Sequence, residues 1–138
     1  MYHYRWHAAQ TSTAKRHEQI GFSDTVRKTV LTRFCITDPV LIDVHLHFCH
    51  KEPYKIANPG KNIVSYYEAL VAANAQKEIF PDQAFRRYLA SKICTDMRRC
   101  GLNGLKFYLS FPYKLDVNWS AAETIRFFIK SLRPTPKA

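Results

Sequence analysis

Two apolar stripes of helical period, separated by one proline, constrain this chain more than any other feature. Ile63, Tyr66, Tyr67, Leu70 and Val71 recur at spacings of three and four, and an alanine-rich turn follows to Gln76. Phe85, Tyr88, Leu89, Ile93, Met97 and Cys100 repeat the pattern, and Gly101 supplies a C-terminal stop. Such spacing places each set on one face of an α-helix, which is stable only when that face is buried. Pro81 lacks the N–H that would continue the first helix and has the fixed φ of a helix start. The expected unit is a pair of helices hinged at Pro81.

Elements on either side extend the helical reading. Ser23 and Asp24 are candidate caps for a helix starting near Thr25, with Val26, Val30 and Phe34 on one face. Thr37-Asp38-Pro39 places a capping residue before a first-turn proline. Beyond it, Val44, Leu46 and Phe48 alternate with Asp43, His45 and His47, which is a strand pattern, whereas the cap favours helix. Helix is the expectation adopted. Lys51 to Lys61, with Pro53, Pro59 and Gly60, reads as a loop. Leu102 to Trp119 is aromatic and irregular. Ser120 and Glu123 form a capping-box pair for a last helix carrying Ile125, Phe128, Ile129 and Leu132. The expected fold class is mainly α. It comprises a small helical domain of four to five helices over 23–138, preceded by an extended basic and aromatic segment over 1–22.

At 138 residues, a single domain buries roughly two-thirds of its unfolded surface, so its core is modest and a partner would help it. Twenty-one Lys and Arg against 11 Asp and Glu give a net charge of +10, a field that favours anionic partners. Residues 1–17 contain no acid. They carry Arg5, Lys15 and Arg16, a pattern shared by mitochondrial import signals and exposed basic tails. Tyr2, Tyr4 and Trp6 put three aromatics within five residues, as expected of a segment that lies on another surface.

Chemistry has few footholds. His45, His47, Cys49 and His50 are the densest set of potential metal ligands, but neither helix nor strand makes all four converge. No cysteine stands in a nucleophile elbow, and none of the four glycines opens a phosphate-binding loop. Cys35, Cys49, Cys94 and Cys100 have no common zinc, redox or haem spacing and read as reduced, mostly buried thiols, with disulfide pairing the alternative. The expectation is a non-enzyme with no cofactor. Arg86-Arg87-Tyr88, Arg98-Arg99 and Lys106-Phe107-Tyr108 interleave cations with aromatics. That pattern suits RNA, anionic lipid heads or a solvated face.

Several segments, in order, resemble one family. Ala69-Leu70, then Ile79-Phe80-Pro81-Asp82-Gln83-Ala84-Phe85 and Tyr88, is similar to the centre of subunit 7 of the mitochondrial cytochrome bc1 complex. Phe107-Tyr108-Leu109-Ser110-Phe111-Pro112-Tyr113 is similar to that family's Phe-Tyr-Leu-x-Pro-Tyr segment, with one residue inserted. Trp6-His7-Ala8-Ala9 and Gly21-Phe22-Ser23-Asp24-Thr25 resemble its N-terminal patterns. The arginine-rich run before the Ala-Leu is replaced here by Ser65-Tyr66-Tyr67-Glu68, and roughly Ser91 to Leu105 is extra. The resemblance implies a non-catalytic subunit of complex III. Such a subunit sits peripherally on the matrix side of the mitochondrial inner membrane, against cytochrome b, the core subunits and anionic phospholipid heads. The partner-binding residues it implies, together with the aromatic and basic patches, are Tyr2, Tyr4, Trp6, Pro81, Phe85, Arg86, Arg87, Phe107, Tyr108 and Tyr113. A second resemblance, through Tyr4-Arg5 and Thr37-Asp38-Pro39, is to the Leu-Tyr-Arg group that includes a complex I accessory subunit. An RNA-binding protein of the mitochondrial ribosome is the alternative from a different class.

Overall fold

The computed structural model describes the backbone of residues 16–132 and the side chains of residues 18–132. Within that span the chain is mainly α, with six α-helices and no strand. They are α1 (Arg16–Arg33), α2 (Pro39–Cys49), α3 (Pro59–Lys77), α4 (Asp82–Met97), α5 (Leu102–Ser110) and α6 (Ala121–Ser131). Short 3₁₀ turns sit at Pro53–Lys55, Arg98–Cys100 and Lys114–Asp116.

The centre follows from the two stripes. Ile63, Tyr66, Tyr67, Leu70 and Val71 of α3 are all buried, as are Leu89, Ile93 and Met97 of α4 and Cys100 just beyond it. The α4 stripe departs from expectation at Tyr88, which points out to solvent, while Ala90 and Cys94 face inward. Helix α3 is the hub, packing against α2, α4 and α5. Phe111 closes the far side, edge-on to Tyr67 at 5.6 Å between ring centroids and stacked on Phe107 at 5.1 Å.

Helix ends follow local chemistry. Asp38 accepts the Val40 N–H at 2.8 Å, with Pro39 in the first turn, so the cap outweighs the alternating pattern and residues 39–49 are helical. Ser120 and Glu123 form the reciprocal capping box that the spacing predicts. Gly101 stops the preceding turn at φ 57° and ψ −132°, a conformation that only glycine adopts without strain.

Three expectations need correction. Helix α1 begins at Arg16, so the extended segment cannot run through residue 22, and Ser23 and Asp24 lie inside the helix instead of capping it. Asp24 pairs with Arg27 at 2.8 Å and with His50 at 2.9 Å. The inward residues at this end of the chain are Leu31 of α1 and Phe34 just beyond it, while Val26 and Val30 are exposed. Second, 102–119 is not wholly irregular. Helix α5 occupies its first half, with Gly104 and Phe107 inward. Third, α6 buries Phe127 and Ser131, and the stripe of Ile125, Phe128, Ile129 and Leu132 faces outward.

Gly104 sits against the end of α4. A Cβ there would overlap the Met97 carbonyl, and both sides of that contact are backbone. Neither can swing away as a side chain would. Gly104→Ala is therefore expected to cost about 3 kcal/mol by overpacking. A urea-denaturation midpoint unchanged by the substitution would contradict this packing.

Candidate docking surface

The turn between α3 and α4 is held by one buried side chain. Asn74, 1% exposed, donates from Nδ2 to the Phe80 carbonyl at 3.0 Å. Its Oδ1 accepts the Phe80 N–H, also at 3.0 Å. One amide thus satisfies both backbone groups of a residue in a tight connection, which would otherwise be left unpaired. Glu78 ends α3 in the left-handed region at φ 50°, donating its N–H to the Asn74 carbonyl at 2.7 Å. Asn74 carried no signal beyond its place in an alanine-rich turn. Its period puts it on the buried face, where a polar residue demands a partner, and only the tertiary structure names that partner.

So held, the turn presents aromatics outward. Phe80 stacks on Phe85 at 5.5 Å, and Phe85 stacks on Phe34, just after α1, at 6.0 Å. This column leads from the core to the surface, where Phe80 is 49% and Tyr88 66% exposed. A cleft of about 280 Å³ is lined by Phe80, Pro81, Ala84, Phe85 and Tyr88. A second, of about 490 Å³, lies across the turn beside Asn74, Ile79 and Asp82. Phe80 lines both. On the first turn of α4, Arg86 donates to Asp82 at 2.7 Å across one helical turn, which offsets its charge locally. Arg87 is exposed and has no ion-pair partner among the described residues.

Of the sequence-selected residues, Pro81 and Phe85 come together in the first cleft, and Arg86 and Arg87 follow on the first turns of α4 without lining it. Three do not join them. Phe107 is a core residue and offers nothing to a partner, a correction to the surface role expected of it. Tyr108 is half-buried, stacked on Trp119 at 5.5 Å and against Phe127 at 5.0 Å. Tyr113 stacks on Tyr67 at 4.5 Å and donates to Glu68 at 2.6 Å. With the Tyr67 hydroxyl donating to Asp116 at 2.7 Å, Tyr113 ties the chain after α5 back onto α3. These aromatics hold the fold together. Tyr2, Tyr4 and Trp6 lie outside the described residues.

The histidine-rich stretch on α2 disperses its side chains. His47 meets Asp43 at 3.5 Å and His50 meets Asp24 of α1. His45 shares a hydrogen bond with the Tyr66 hydroxyl at 2.8 Å through Nδ1, and its Nε2 lies 3.5 Å from the Cys49 Sγ. Burial pushes His45 down and Cys49 up, so both groups are held neutral. A thiolate–imidazolium nucleophile requires the opposite pair of shifts. Among the described residues, no group of three His, Cys, Asp or Glu is arranged to hold a metal ion. Cys94 and Cys100 are buried, and burial pushes their thiols up to about 12 and about 11. Cys49 is half-buried and Cys35 exposed.

The chain matches no protein-family model, and neither a curated protein nor a solved structure matches it.

Two measurements follow from these contacts. Asn74→Leu leaves both Phe80 backbone groups without their partner and is expected to cost about 2–4 kcal/mol, read as a lower urea midpoint. His45 has a folded pKa below its ordinary 6.5, so in mildly acidic solution the unfolded chain binds the extra proton. Stability is then full well above pH 6.5 and falls as pH drops through 6.5 toward the lower folded value. Asp24, whose carboxyl lies below 3.8 because the Arg27 and His50 hydrogen bonds outweigh burial, titrates outside this window. His45→Gln should flatten that part of the stability–pH curve.

Proposed function

We propose that this chain is a non-catalytic subunit that docks onto a larger assembly through the face built around the α3–α4 turn. The observation that carries the reading is the aromatic column from Phe34 through Phe85 to Phe80. It ends in half-exposed rings on a turn that Asn74 holds rigid, with the exposed Arg87 next to Tyr88 in the chain. Aromatic and arginine side chains are the types that most often carry binding energy at protein interfaces. Rigid presentation spares the ordering cost of association.

The sequence resemblance gives this face its assembly: complex III, on the matrix side of the mitochondrial inner membrane, against cytochrome b and the core subunits. Pro81 and Phe85, which carry much of the resemblance, both line the cleft. Among the described residues no helix is long and apolar enough to cross a membrane, which is compatible with a peripheral position. A second reading, an RNA-binding protein of the mitochondrial ribosome, draws its support from the net charge of +10.

A native gel of digitonin-solubilised mitochondrial membranes separates the two. Co-migration with cytochrome b is expected under the first reading. Sedimentation with ribosomal RNA, released by RNase, supports the second and overturns the first. Arg86→Glu combined with Arg87→Glu should weaken the association at least about tenfold while shifting the urea midpoint of the isolated chain little, because both positions are solvent-accessible. Normal assembly of this double variant would remove the basic edge from the docking face.

A further inference from the structure

Among the described residues, the outer side of α6 is largely unused by the fold, apart from Phe128, whose ring meets Tyr108 edge-on at 6.3 Å. Ile125, Ile129 and Leu132 are 59%, 56% and 69% exposed, and Phe128 beside them is partly so. At about 100° per residue, these four fall within a stripe of about 100° around the helix. Phe127 and Ser131 lie on the side that faces the core. An isolated exposed leucine needs no explanation, but four apolar residues side by side on one helix do.

Next around the helix from Ile129 come Arg126 and Lys130, both exposed. With Arg98 and Thr95 they line a cleft of about 210 Å³. The only carboxylate in that cleft is Glu123, already engaged by the Ser120 N–H and hydroxyl, each at 2.8 Å. Three cations thus face one occupied acid. In the sequence, residues 133–138 add Arg133 and Lys137 and no acid. An apolar stripe with cations along its edge is the pattern of a helix lying in a membrane interface, with aliphatic groups at the acyl boundary and cations among the phosphates. The stripe runs along a single helix. Its charged edge complements an anionic surface.

We propose that α6 is an in-plane anchor for an anionic bilayer. Ile125, Phe128, Ile129 and Leu132 enter the acyl boundary, and Arg98, Arg126 and Lys130 engage lipid phosphates. The inference is independent of which assembly the α3–α4 face meets.

The test is co-sedimentation of the purified full-length chain with vesicles. The chain should pellet with phosphatidylcholine doped with phosphatidylglycerol and stay in solution with phosphatidylcholine alone. Ile129→Glu with Leu132→Glu should lower partitioning about tenfold or more at unchanged helicity by circular dichroism, because both side chains are exposed. Arg126→Glu with Lys130→Glu should lower it comparably, since each cation near the surface contributes about fivefold. If the wild-type chain stays in solution with the anionic vesicles, the proposal fails and the stripe belongs to a protein partner. If the apolar double variant pellets like wild type, binding is by charge alone and the proposal also fails. Neither result bears on co-migration with cytochrome b, which reads the other face.

Discussion

A single carboxamide sets the geometry on which the candidate interface depends. Asn74 acts as a surrogate strand partner for Phe80, donating to its carbonyl and accepting from its N–H. Without it, the connection between α3 and α4 would carry unpaired backbone groups, and burial makes such groups costly. With it, the α4 N-terminus is held in position relative to the end of α3. Pro81, which cannot donate, then needs no partner of its own. The column Phe34–Phe85–Phe80 rests on this arrangement. One polar residue in an otherwise apolar stripe therefore links core packing to surface presentation.

The parts of the fold that could be read from the sequence are those where one face alone is apolar. Helices α3 and α4 meet that condition, and their stripes are buried as their period implies, except at Tyr88 and, in part, at Phe85. Local capping chemistry at Asp38 and Ser120 was equally readable, because it involves residues two or three apart. The failures share a physical cause. Helices α1 and α6 carry apolar residues on two faces, and periodicity cannot say which face meets the core. In α6 the broader stripe of Ile125, Phe128, Ile129 and Leu132 outweighs the single Phe127, yet Phe127 is the residue that packs. Helix α5 was missed because Leu102 and Leu109 on its outer side blur the contrast with Gly104 and Phe107 on its inner side. The docking face was half readable: Pro81, Phe85, Arg86 and Arg87 came from local pattern, whereas Asn74 acquires meaning only from what it touches. Phe107, Tyr108 and Tyr113 were conspicuous by composition, and composition alone does not separate an aromatic that binds from one that packs.

The titratable groups speak to chemistry in the same way. His45 lies within hydrogen-bonding distance of both Tyr66 and Cys49, an arrangement that on distances alone resembles a catalytic relay. Their environment argues otherwise. Burial is the leading influence on all three, holding the imidazole neutral, the thiol protonated and the phenol protonated. The cluster makes a polar seam between α2 and α3, where each group satisfies a neighbour.

The tether from Tyr67 and Glu68 to Asp116 and Tyr113 spans more than forty residues of chain, whereas α2, α3 and α4 pack largely against their sequence neighbours. Contacts between near neighbours close small loops and form early, and those that close long loops wait. During synthesis, α2 through α4 would be able to assemble while the aromatic clasp was still inside the ribosome. Until Tyr113 emerged, the flank of α3 that carries Tyr67 would remain uncovered. That interval is when the apolar flank of α3 would be most open to unintended contacts.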